Sequence, residues 1–258
     1  MKRRGFTLIE LLVVVAIIAV LIGILMPALT NARATSQSTK CLAALHDIGV
    51  AMTGYFNVND DRFPLLREHG GSAPGTAWLD TLAPHTDMKL QYRCPTDQAT
   101  NFDDPDPTLR RVTSYGMNSF MTPLQVDWTP ASPFPPHGFV VQTRLGDTSH
   151  WVYSAELAEW GTDDSGNVIP VHGDDFHSDR WLINPLTGYG GDQPSQWLAL
   201  GRHLQKENYL FADGHAEHVG FDQLYHVSAD GQTLEIDRFD PGFPRSPQGW
   251  YQSMGNSP

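Results

Sequence analysis

The sequence has few cationic residues and lacks the short motifs that mark common enzyme classes. Lysine and arginine together number 17 against 29 aspartates and glutamates, so the formal net charge is −12. Such a chain repels a phosphate backbone overall, which argues against nucleic acid as a partner. G-x-S-x-G, H-E-x-x-H, C-x-x-C and a phosphate-binding glycine loop are all missing. We therefore expect a protein that is not an enzyme.

Cysteine is also scarce, because Cys41 and Cys94 are the only two in 258 residues. Outside the cytoplasm the setting is oxidising, and a disulfide between them is then one hypothesis. Two separately buried thiols are the alternative, since a sequence shows no geometry. A bridge would close a loop of about 54 residues and stabilise a loop-rich domain by about 3–4 kcal/mol in the chain-entropy model.

The most prominent feature that is present is an apolar run over 6–26, interrupted by Glu10. Its length suffices to span a bilayer as a helix, and the basic residues at 2–4 favour a cytoplasmic N-terminus. A cleaved secretory signal is the alternative, with an A-x-A pattern at 32–34. The run is long for a signal core, and Pro27 falls in the region where processing would occur, so a retained transmembrane helix fits better.

The segment Lys-Arg-Arg-Gly-Phe-Thr-Leu-Ile-Glu over 2–10 resembles the class III leader of type IV pilins and type II secretion pseudopilins. The resemblance implies that a prepilin peptidase cuts after Gly5 and methylates the new amine of Phe6. In a bundle of such helices the Glu10 carboxylate of one subunit can pair with the Phe6 amine of a neighbour, so that two buried charges neutralise each other. Glu10 facing headgroups or a water-filled groove is the alternative.

Beyond Pro27 the helical pattern becomes amphipathic. Apolar positions recur at spacings of three and four and predict a stripe that faces a core: Cys41, Leu45, Ile48, Met52 and Tyr55. Pro27 should bend the helix without ending it. The polar run at 57–61 then breaks the pattern, so we expect one helix over about 6–56, roughly 75 Å long.

The remainder of the sequence indicates strands and loops. Nineteen prolines and 23 glycines argue against further long helices. The segment 208–219 predicts a hairpin with a two-residue turn at Asp213-Gly214, and 151–154 predicts another strand. We expect loop-rich insertions at about 100–145 and 160–200, around an antiparallel sheet laid across the second half of the helix.

A narrower resemblance concerns the C-terminal part. His203, nine residues and then Asp213-Gly214 are similar to the H-x9-D-G motif of a large pseudopilin-like group best known from planctomycetes. Segments around 41–49, 92–97 and 114–118, and Glu156, resemble that group in the same order. The resemblance implies an assembly role and no established chemistry. For His203 we expect a structural hydrogen bond, to Asp213 or to a backbone carbonyl, that holds the turn.

Histidines and carboxylates suggest a metal site as a competing hypothesis. Two groups are close in sequence: His203, Asp213, His215 and His218, and His172, Asp174, Asp175 and His177. In the predicted hairpin His215 faces Ala212 and His218 faces Tyr209, so the two rings point to opposite faces and cannot share one ion. We therefore predict no metal, with calcium or a transition metal as the open alternative.

Tryptophans support a further alternative, a glycan- or protein-binding module. Five of the seven are candidates for the lining of a groove: Trp128, Trp151, Trp160, Trp181 and Trp197. As core and loop anchors they need no ligand. A metal-dependent hydrolase would depend on the histidine groups alone.

Taken together, the sequence predicts an α+β, pilin-like fold. We expect a leader at 1–5, a transmembrane helix at 6–27, the amphipathic half of the helix at 28–56 and an extracytoplasmic β-rich head at 57–258. The predicted function is a subunit of a type II secretion pseudopilus or a type IV pilus-like fibre, single-pass in the inner membrane before assembly. Expected partners are other subunits, prepilin peptidase, the assembly machinery and the bilayer.

Overall fold

A computed structural model of the chain describes residues 8–64, 77–121, 142–162, 166–171, 173–176, 178, 181, 193–227 and 234–239. Its longest element is helix α1, Leu8–Val58, whose 51 residues span about 76 Å at the usual rise. The helix continues through Pro27 and ends two residues later than predicted. The domain boundaries drawn from the sequence stay predictions.

Helix α1 ends where the backbone leaves the right-handed helical conformation. Asp60 and Asp61 have φ values of 53° and 55°, which a right-handed helix does not contain. The amides of Asn59 and Asp61 both donate to the Phe56 carbonyl at 3.2 and 3.1 Å, and the Asn59 side chain donates to Tyr55 O at 2.8 Å. These bonds satisfy carbonyls that the last turn leaves without helical partners.

The apolar stripe predicted on the second half of α1 is confirmed. Cys41, Leu45, Ile48 and Met52 are fully buried, and Tyr55 packs against the same core from its edge. The first buried residue along the helix is Ser38. The helix therefore packs against the rest of the fold mainly through one face of its last 21 residues.

Besides short 3-10 turns, the other described elements are one short α-helix and nine strands. They are α2 Leu79–Leu82, β1 Tyr115–Asn118, β2 Val152–Glu156, β3 Trp160–Thr162, β4 Val168–Pro170, β5 Asp175–Phe176, β6 Glu207–Phe211, β7 Ala216–Val219, β8 Tyr225–Val227 and β9 Leu234–Asp237. Five strands form the main sheet in the order β5-β1-β2-β6-β7, while β3-β4 and β8-β9 form two small sheets. The α+β class with a mainly antiparallel sheet is thus confirmed, although β1 and β5 pair in parallel.

The main sheet is buried on both faces. Towards α1 it presents Tyr115, Met117 and Leu210, which join the stripe of the helix in one apolar core. Its opposite face carries Tyr209 and Phe211, which belong to a second core under Trp181, Leu224, Tyr225 and Phe239. Every residue of β1, β2 and β6 is buried.

Both segments predicted as loop-rich insertions contain short strands, and burial on both faces explains why β1 was missed. The expected insertion at 100–145 contains β1, a central strand, and the insertion at 160–200 contains β3, β4 and β5. Because β1 is covered on both sides, it shows no apolar-polar alternation. The strand predicted at 151–154 does exist, as β2.

The hairpin β6-β7 exists, but its predicted turn was wrong. Asn208 pairs with His218 and Leu210 with Ala216, and the Phe211 amide donates to His215 O at 2.9 Å. The loop therefore has three residues, 212–214, and only its glycine has a positive φ, +91° at Gly214. This is the geometry of a type I turn followed by a glycine bulge.

The observed register replaces the predicted pairs of His215 with Ala212 and His218 with Tyr209. Counting from Asn208 opposite His218, residues 216 and 218 lie on the α1 side of the sheet and 215 and 217 on the other. The two histidines still point to opposite faces, as predicted.

The hairpin turn packs directly on the backbone of α1 at Gly49. A Cβ at this position would overlap the carbonyl oxygen of Gly214 and would lie 2.9 Å from a Leu210 methyl carbon. Gly214 in turn lies against Gly49 and Thr53. A glycine at 49 is therefore required for the close approach of helix and turn.

We predict that Gly49→Ala lowers the stability of the head. Alanine improves helix propensity by about 1 kcal/mol, but the overlap with backbone must be relieved by moving the turn, and a net loss of about 1–2 kcal/mol is expected. Thermal unfolding of the full chain in detergent, followed by near-UV circular dichroism, measures the change. Gly23→Ala is the matched control, because its Cβ meets nothing within 4 Å. An unchanged or raised melting temperature for Gly49→Ala would contradict the packing argument.

Candidate functional site on helix α1 and its junction with the sheet

The first half of α1 is an exposed apolar rod. Its large apolar side chains between Leu8 and Leu29 are 48–79% exposed. The helix is long and apolar enough to cross a membrane, and none of its most apolar 18-residue window is buried in the fold. An apolar surface of this extent requires a cover of lipid or of other protein.

The predicted processing and assembly residues lie at the start of this rod. Gly5 and Phe6 fall outside the described residues. Glu10 lies in the first turn of α1 and is exposed, surrounded along the helix by apolar side chains. The arrangement places a carboxylate on the apolar surface, at the end of the helix where the partial positive charge of the macrodipole favours an anion.

The second half of α1 is tied covalently to the head. Cys41 and Cys94 form a disulfide with Cα atoms 5.3 Å apart, and both are fully buried. Cys94 belongs to the segment between α2 and β1, so the bond joins the helix to the loop that leads into the central strand. Of the two hypotheses for the thiols, the structure adopts the disulfide.

A buried polar cluster lies beside the disulfide. His203 Nε2 is 3.0 and 2.8 Å from the two carboxylate oxygens of Glu156, and 3.7 Å from Cys94 Sγ. Asn208 Nδ2 donates to Glu156 Oε1 at 3.1 Å and to Ser38 O on α1 at 3.3 Å. The cluster thus links β2, β6 and the helix in a region shielded from water, where such bonds are strong and costly to leave incomplete.

The His203 side chain does not contact either partner predicted for it, Asp213 or a backbone carbonyl at the turn. Its side chain contacts Glu156, while its backbone exchanges two hydrogen bonds with Lys206. Asp213 lies at the opposite end of β6, where its Oδ1 accepts from the amide and from the ring of His215 at 3.0 and 2.6 Å. Strand β6 separates the two motif positions by about 16 Å, since each strand residue rises about 3.3 Å.

The motif residues instead hold α1 at two points. His203 is part of the cluster that reaches Ser38 through Asn208, and Gly214 packs on Gly49. Eleven residues separate the two helix positions, about 16 Å along the axis. The nine-residue spacing of the motif thus matches the distance between two contacts on the helix.

A buried ion pair supports the loop that carries Cys94. Arg111 NH2 lies 2.8 Å from Asp97 Oδ2, with both side chains fully buried, and donates to Leu157 O at 2.9 Å. Ser114 Oγ donates to Asp97 at 2.6 Å and accepts from the Cys94 amide at 2.9 Å. Burial lowers the pKa of the Arg111 guanidinium from its ordinary value, and the adjacent Asp97 carboxylate opposes that shift.

The histidine groups predicted from spacing do not form a shared site in the described part of the chain. His215 bonds to Asp213, and His218 Nδ1 lies 2.9 Å from Asn208 Oδ1 on the other face. Burial lowers the pKa of His218, and the positive charges of His203 and Lys206 act in the same direction. Of the second group, the Asp174 carboxylate accepts from the Trp78 amide at 2.9 Å, while its two histidines, 172 and 177, lie outside the described residues.

A different set of potential metal ligands meets at the junction. Cys41, Cys94, Glu156 and His203 bring one ligand atom each within 4.8 Å of one another. Sequence reasoning missed this set because its members are far apart along the chain. The only signal was the resemblance that named His203, Glu156 and the cysteine-containing segments together.

A groove of about 550 Å³ opens next to this cluster, between α1 and the head. Ala34 and Gln37 line it from the helix, and Trp160, Leu200 and Arg202 from the head. Trp160 is 50% exposed, whereas Trp181 is a nearly buried member of the second core. Trp128 lies outside the described residues.

Comparison with known proteins concerns mainly the N-terminal segment. Residues 1–26 match the family described as "Prokaryotic N-terminal methylation motif". The chain is 28% identical over 99 residues to the ComG operon protein 3 homolog of Bacillus licheniformis, which covers 38% of this chain and 89% of that protein. It is 52% identical over 46 residues to the type IV wide pilus major component PilA4 of Thermus thermophilus, 18% of this chain and 35% of that one. No solved structure matches the chain.

The resemblance to type IV pilins and pseudopilins inferred from residues 2–10 is confirmed by this family match and by both relatives. The narrower resemblance to the H-x9-D-G group stays a prediction. Most of the head, including the cluster around His203, lies beyond the segment that the family match covers.

We predict that Arg111→Met destabilises the head strongly. The substitution keeps an unbranched side chain but leaves Asp97 buried without its cation, which costs about 3–5 kcal/mol. Arg110→Met is the matched control, because Arg110 bonds only partly buried or exposed backbone carbonyls at Asp104 and Pro105, and a loss of about 1 kcal/mol or less is expected. Chemical denaturation of the full chain in detergent compares the two. If Arg111→Met and Arg110→Met lower the free energy of unfolding equally, the buried ion pair is not important for stability.

Proposed function

We propose that this protein is a pilin-like filament subunit that is held in the membrane by the first half of α1 before assembly. The observation that carries the proposal is the division of one continuous helix. Between Leu8 and Leu29 it is exposed and predominantly apolar, and from Ser38 onward one face is packed into the head. The prepilin-type methylation motif coincides with the exposed half.

An exposed apolar rod of this kind suits two successive surroundings. In a bilayer its backbone bonds are satisfied within the helix, and its side chains contact lipid. In a filament the same exposed apolar side chains can pack against the apolar helices of neighbouring subunits. The two relatives include one that is by name a major pilus component, which favours the filament.

The finer proposal concerns processing and assembly. Prepilin peptidase cuts after Gly5, the amine of Phe6 is methylated, and the Glu10 carboxylate pairs with the Phe6 amine of an adjacent subunit. Two opposite charges that enter an apolar bundle must neutralise each other, because an unpaired buried charge costs several kcal/mol. The pair would thereby fix the axial register of neighbouring helices.

The system that uses this subunit is proposed to be a type II secretion pseudopilus or a type IV pilus-like fibre, acting in protein secretion or surface assembly. The head lies outside the inner membrane and the basic residues at 2–4 stay in the cytoplasm. A head of about 200 residues favours a minor or specialised subunit. The function needs no catalytic residue; it needs lipid, other subunits and the assembly machinery as partners.

Processing tests the first step of this proposal. The mature chain purified from its native membrane should begin with methylated Phe6, and Gly5→Val should leave the leader attached, because a branched side chain replaces the small residue at the cut. Intact-mass and N-terminal analysis distinguishes the two forms. A mature N-terminus at Thr35, after the A-x-A pattern at 32–34, would overturn the proposal.

Glu10→Ala should separate membrane insertion from assembly. Insertion and cleavage should remain, since the apolar run becomes more hydrophobic. Incorporation into filaments should fall steeply, because each mutant leaves a neighbour's amine charged and unpaired at a cost of several kcal/mol. The measured quantity is the ratio of mutant in sheared or pulled-down fibres to mutant in the membrane.

Two variants make the Glu10 experiment selective. Glu10→Gln keeps shape and some hydrogen bonding and should be defective but less so. Val13→Ala shortens an exposed apolar side chain one turn further along and should assemble like the wild type. If Glu10→Ala enters fibres as well as the wild type does, the charge pair is not the basis of assembly.

A further inference from the structure

The buried junction between α1 and the sheet brings four potential metal ligands together. Cys41 comes from α1, Cys94 from the loop before β1, Glu156 from the end of β2 and His203 from the turn before β6. All four are at most 2% exposed. One ligand atom from each lies within 4.8 Å of the others, although their positions in the sequence span 162 residues (203 − 41).

Tetrahedral zinc coordination has bonds of about 2.3 Å to sulfur and about 2.0–2.1 Å to nitrogen or oxygen, which place the ligand atoms roughly 3.3–3.8 Å apart. The 3.7 Å between His203 Nε2 and Cys94 Sγ falls in this range. His203 Nε2 and Glu156 Oε2 are closer, at 2.8 Å, and the two sulfurs are bonded to each other, so an ion requires reduced thiols and a small outward movement of the ligands. Two sulfurs, one imidazole and one carboxylate form a ligand set suited to zinc.

Glu156 contacts His203 through both carboxylate oxygens. His203 Nε2 lies 3.0 Å from Oε1 and 2.8 Å from Oε2, and Asn208 Nδ2 donates to Oε1. Oε2 is completely buried, and Arg202 NH1 lies 3.9 Å from it. A divalent ion bound by both Glu156 and His203 would replace the contact that now joins them, so that neither buried group is left without a partner.

The surroundings also suit thiolates. The Thr96 hydroxyl lies 3.0 Å from Cys94 Sγ and donates to it, and the Cys94 amide is held by Ser114. Two thiolates and one carboxylate around a divalent ion leave one negative charge. The Arg202 guanidinium lies at its edge, 3.9 Å from Glu156 Oε2, and also pairs with Glu159 at 2.8 Å. Such outer contacts orient ligands and strengthen metal binding.

We propose that the reduced chain binds one zinc-class divalent ion through Cys41, Cys94, Glu156 and His203. The ion and the disulfide are alternative occupants of the same position, because the thiolates that bind the metal are the sulfurs that the disulfide consumes. Either one joins α1 to the sheet. A chain whose cysteines are not yet oxidised therefore has a means of holding its helix against the head, which goes beyond a role as a filament subunit.

The disulfide form is converted to the metal-bound form in two steps, reduction and then binding of the ion. Reduction of the disulfide by a phosphine in water breaks the S–S bond, yields two thiols and converts the phosphine to its oxide. Binding of the ion then releases both thiol protons to solvent, so affinity rises with pH. The groove lined by Arg202 and His203 lies next to the cluster.

The test compares the two redox states of the wild type. Full-length chain in detergent is reduced with a phosphine without oxygen, or left oxidised, and both samples are dialysed against the same zinc buffer. We expect about one zinc ion per reduced chain and almost none per oxidised chain by elemental analysis. Cobalt(II) in place of zinc should give the intense visible bands of a tetrahedral site and a near-ultraviolet thiolate band.

Variants then assign the ligands. His203→Gln and Glu156→Gln in the reduced chain should each weaken zinc binding by about tenfold or more. His46→Gln is the control, because the His46 side chain is 65% exposed on the outer side of α1 and should leave binding unchanged. Melting curves identify any variant that does not fold, and in that case the wild-type cobalt spectrum decides.

The proposal is overturned by equal zinc content in the oxidised and reduced chains, or by a cobalt spectrum without a thiolate band. A folded His203→Gln variant that binds zinc as tightly as the wild type would also overturn it, since two cysteines alone would then account for the affinity.

Discussion

Helix α1 must satisfy two different surroundings along one continuous rod, and the rest of the structure depends on that requirement. Between Leu8 and Leu29 its large apolar side chains are exposed, whereas from Ser38 onward one face is buried against the sheet. A helix can do both because its backbone hydrogen bonds are internal, so the chain needs no other element to enter an apolar phase. The head therefore has to attach to the second half alone, and it has to do so firmly.

Three kinds of interaction make that attachment, and they differ in what they specify. Apolar packing along the stripe buries Cys41, Leu45, Ile48 and Met52, but it tolerates small shifts of the helix. The polar cluster of Glu156, His203 and Asn208 is satisfied only when Ser38 O lies within reach, and the turn at Gly214 fits only over Gly49. These two contacts fix the helix along its axis, and the bond between Cys41 and Cys94 limits its separation from the head. The proposed metal ion would take the place of that bond in a reduced chain.

The errors made from the sequence have specific physical causes. Strand β1 was assigned to a loop because a strand buried on both faces has no alternation to detect. The turn at Asp213-Gly214 was given two residues where it has three, since the dipeptide is compatible with both turn types and only the pairing of Asn208 with His218 decides between them. His203 was expected to bond Asp213 or a backbone carbonyl at the turn, yet a strand lies between the two motif positions and each side chain contacts a different partner.

The sequence by itself determined what depends on neighbours along the chain: the extent of α1, its apolar first half, the buried stripe at Cys41, Leu45, Ile48 and Met52, and the hairpin near the C-terminus. Each of these follows from periodicity, length or turn chemistry within a few residues. Only the tertiary structure decided that Cys94, Glu156 and His203 surround Cys41, and that Gly214 contacts Gly49. Those contacts arise from the order of strands in the sheet and from its placement on the helix, which are properties of long-range packing that no local pattern encodes.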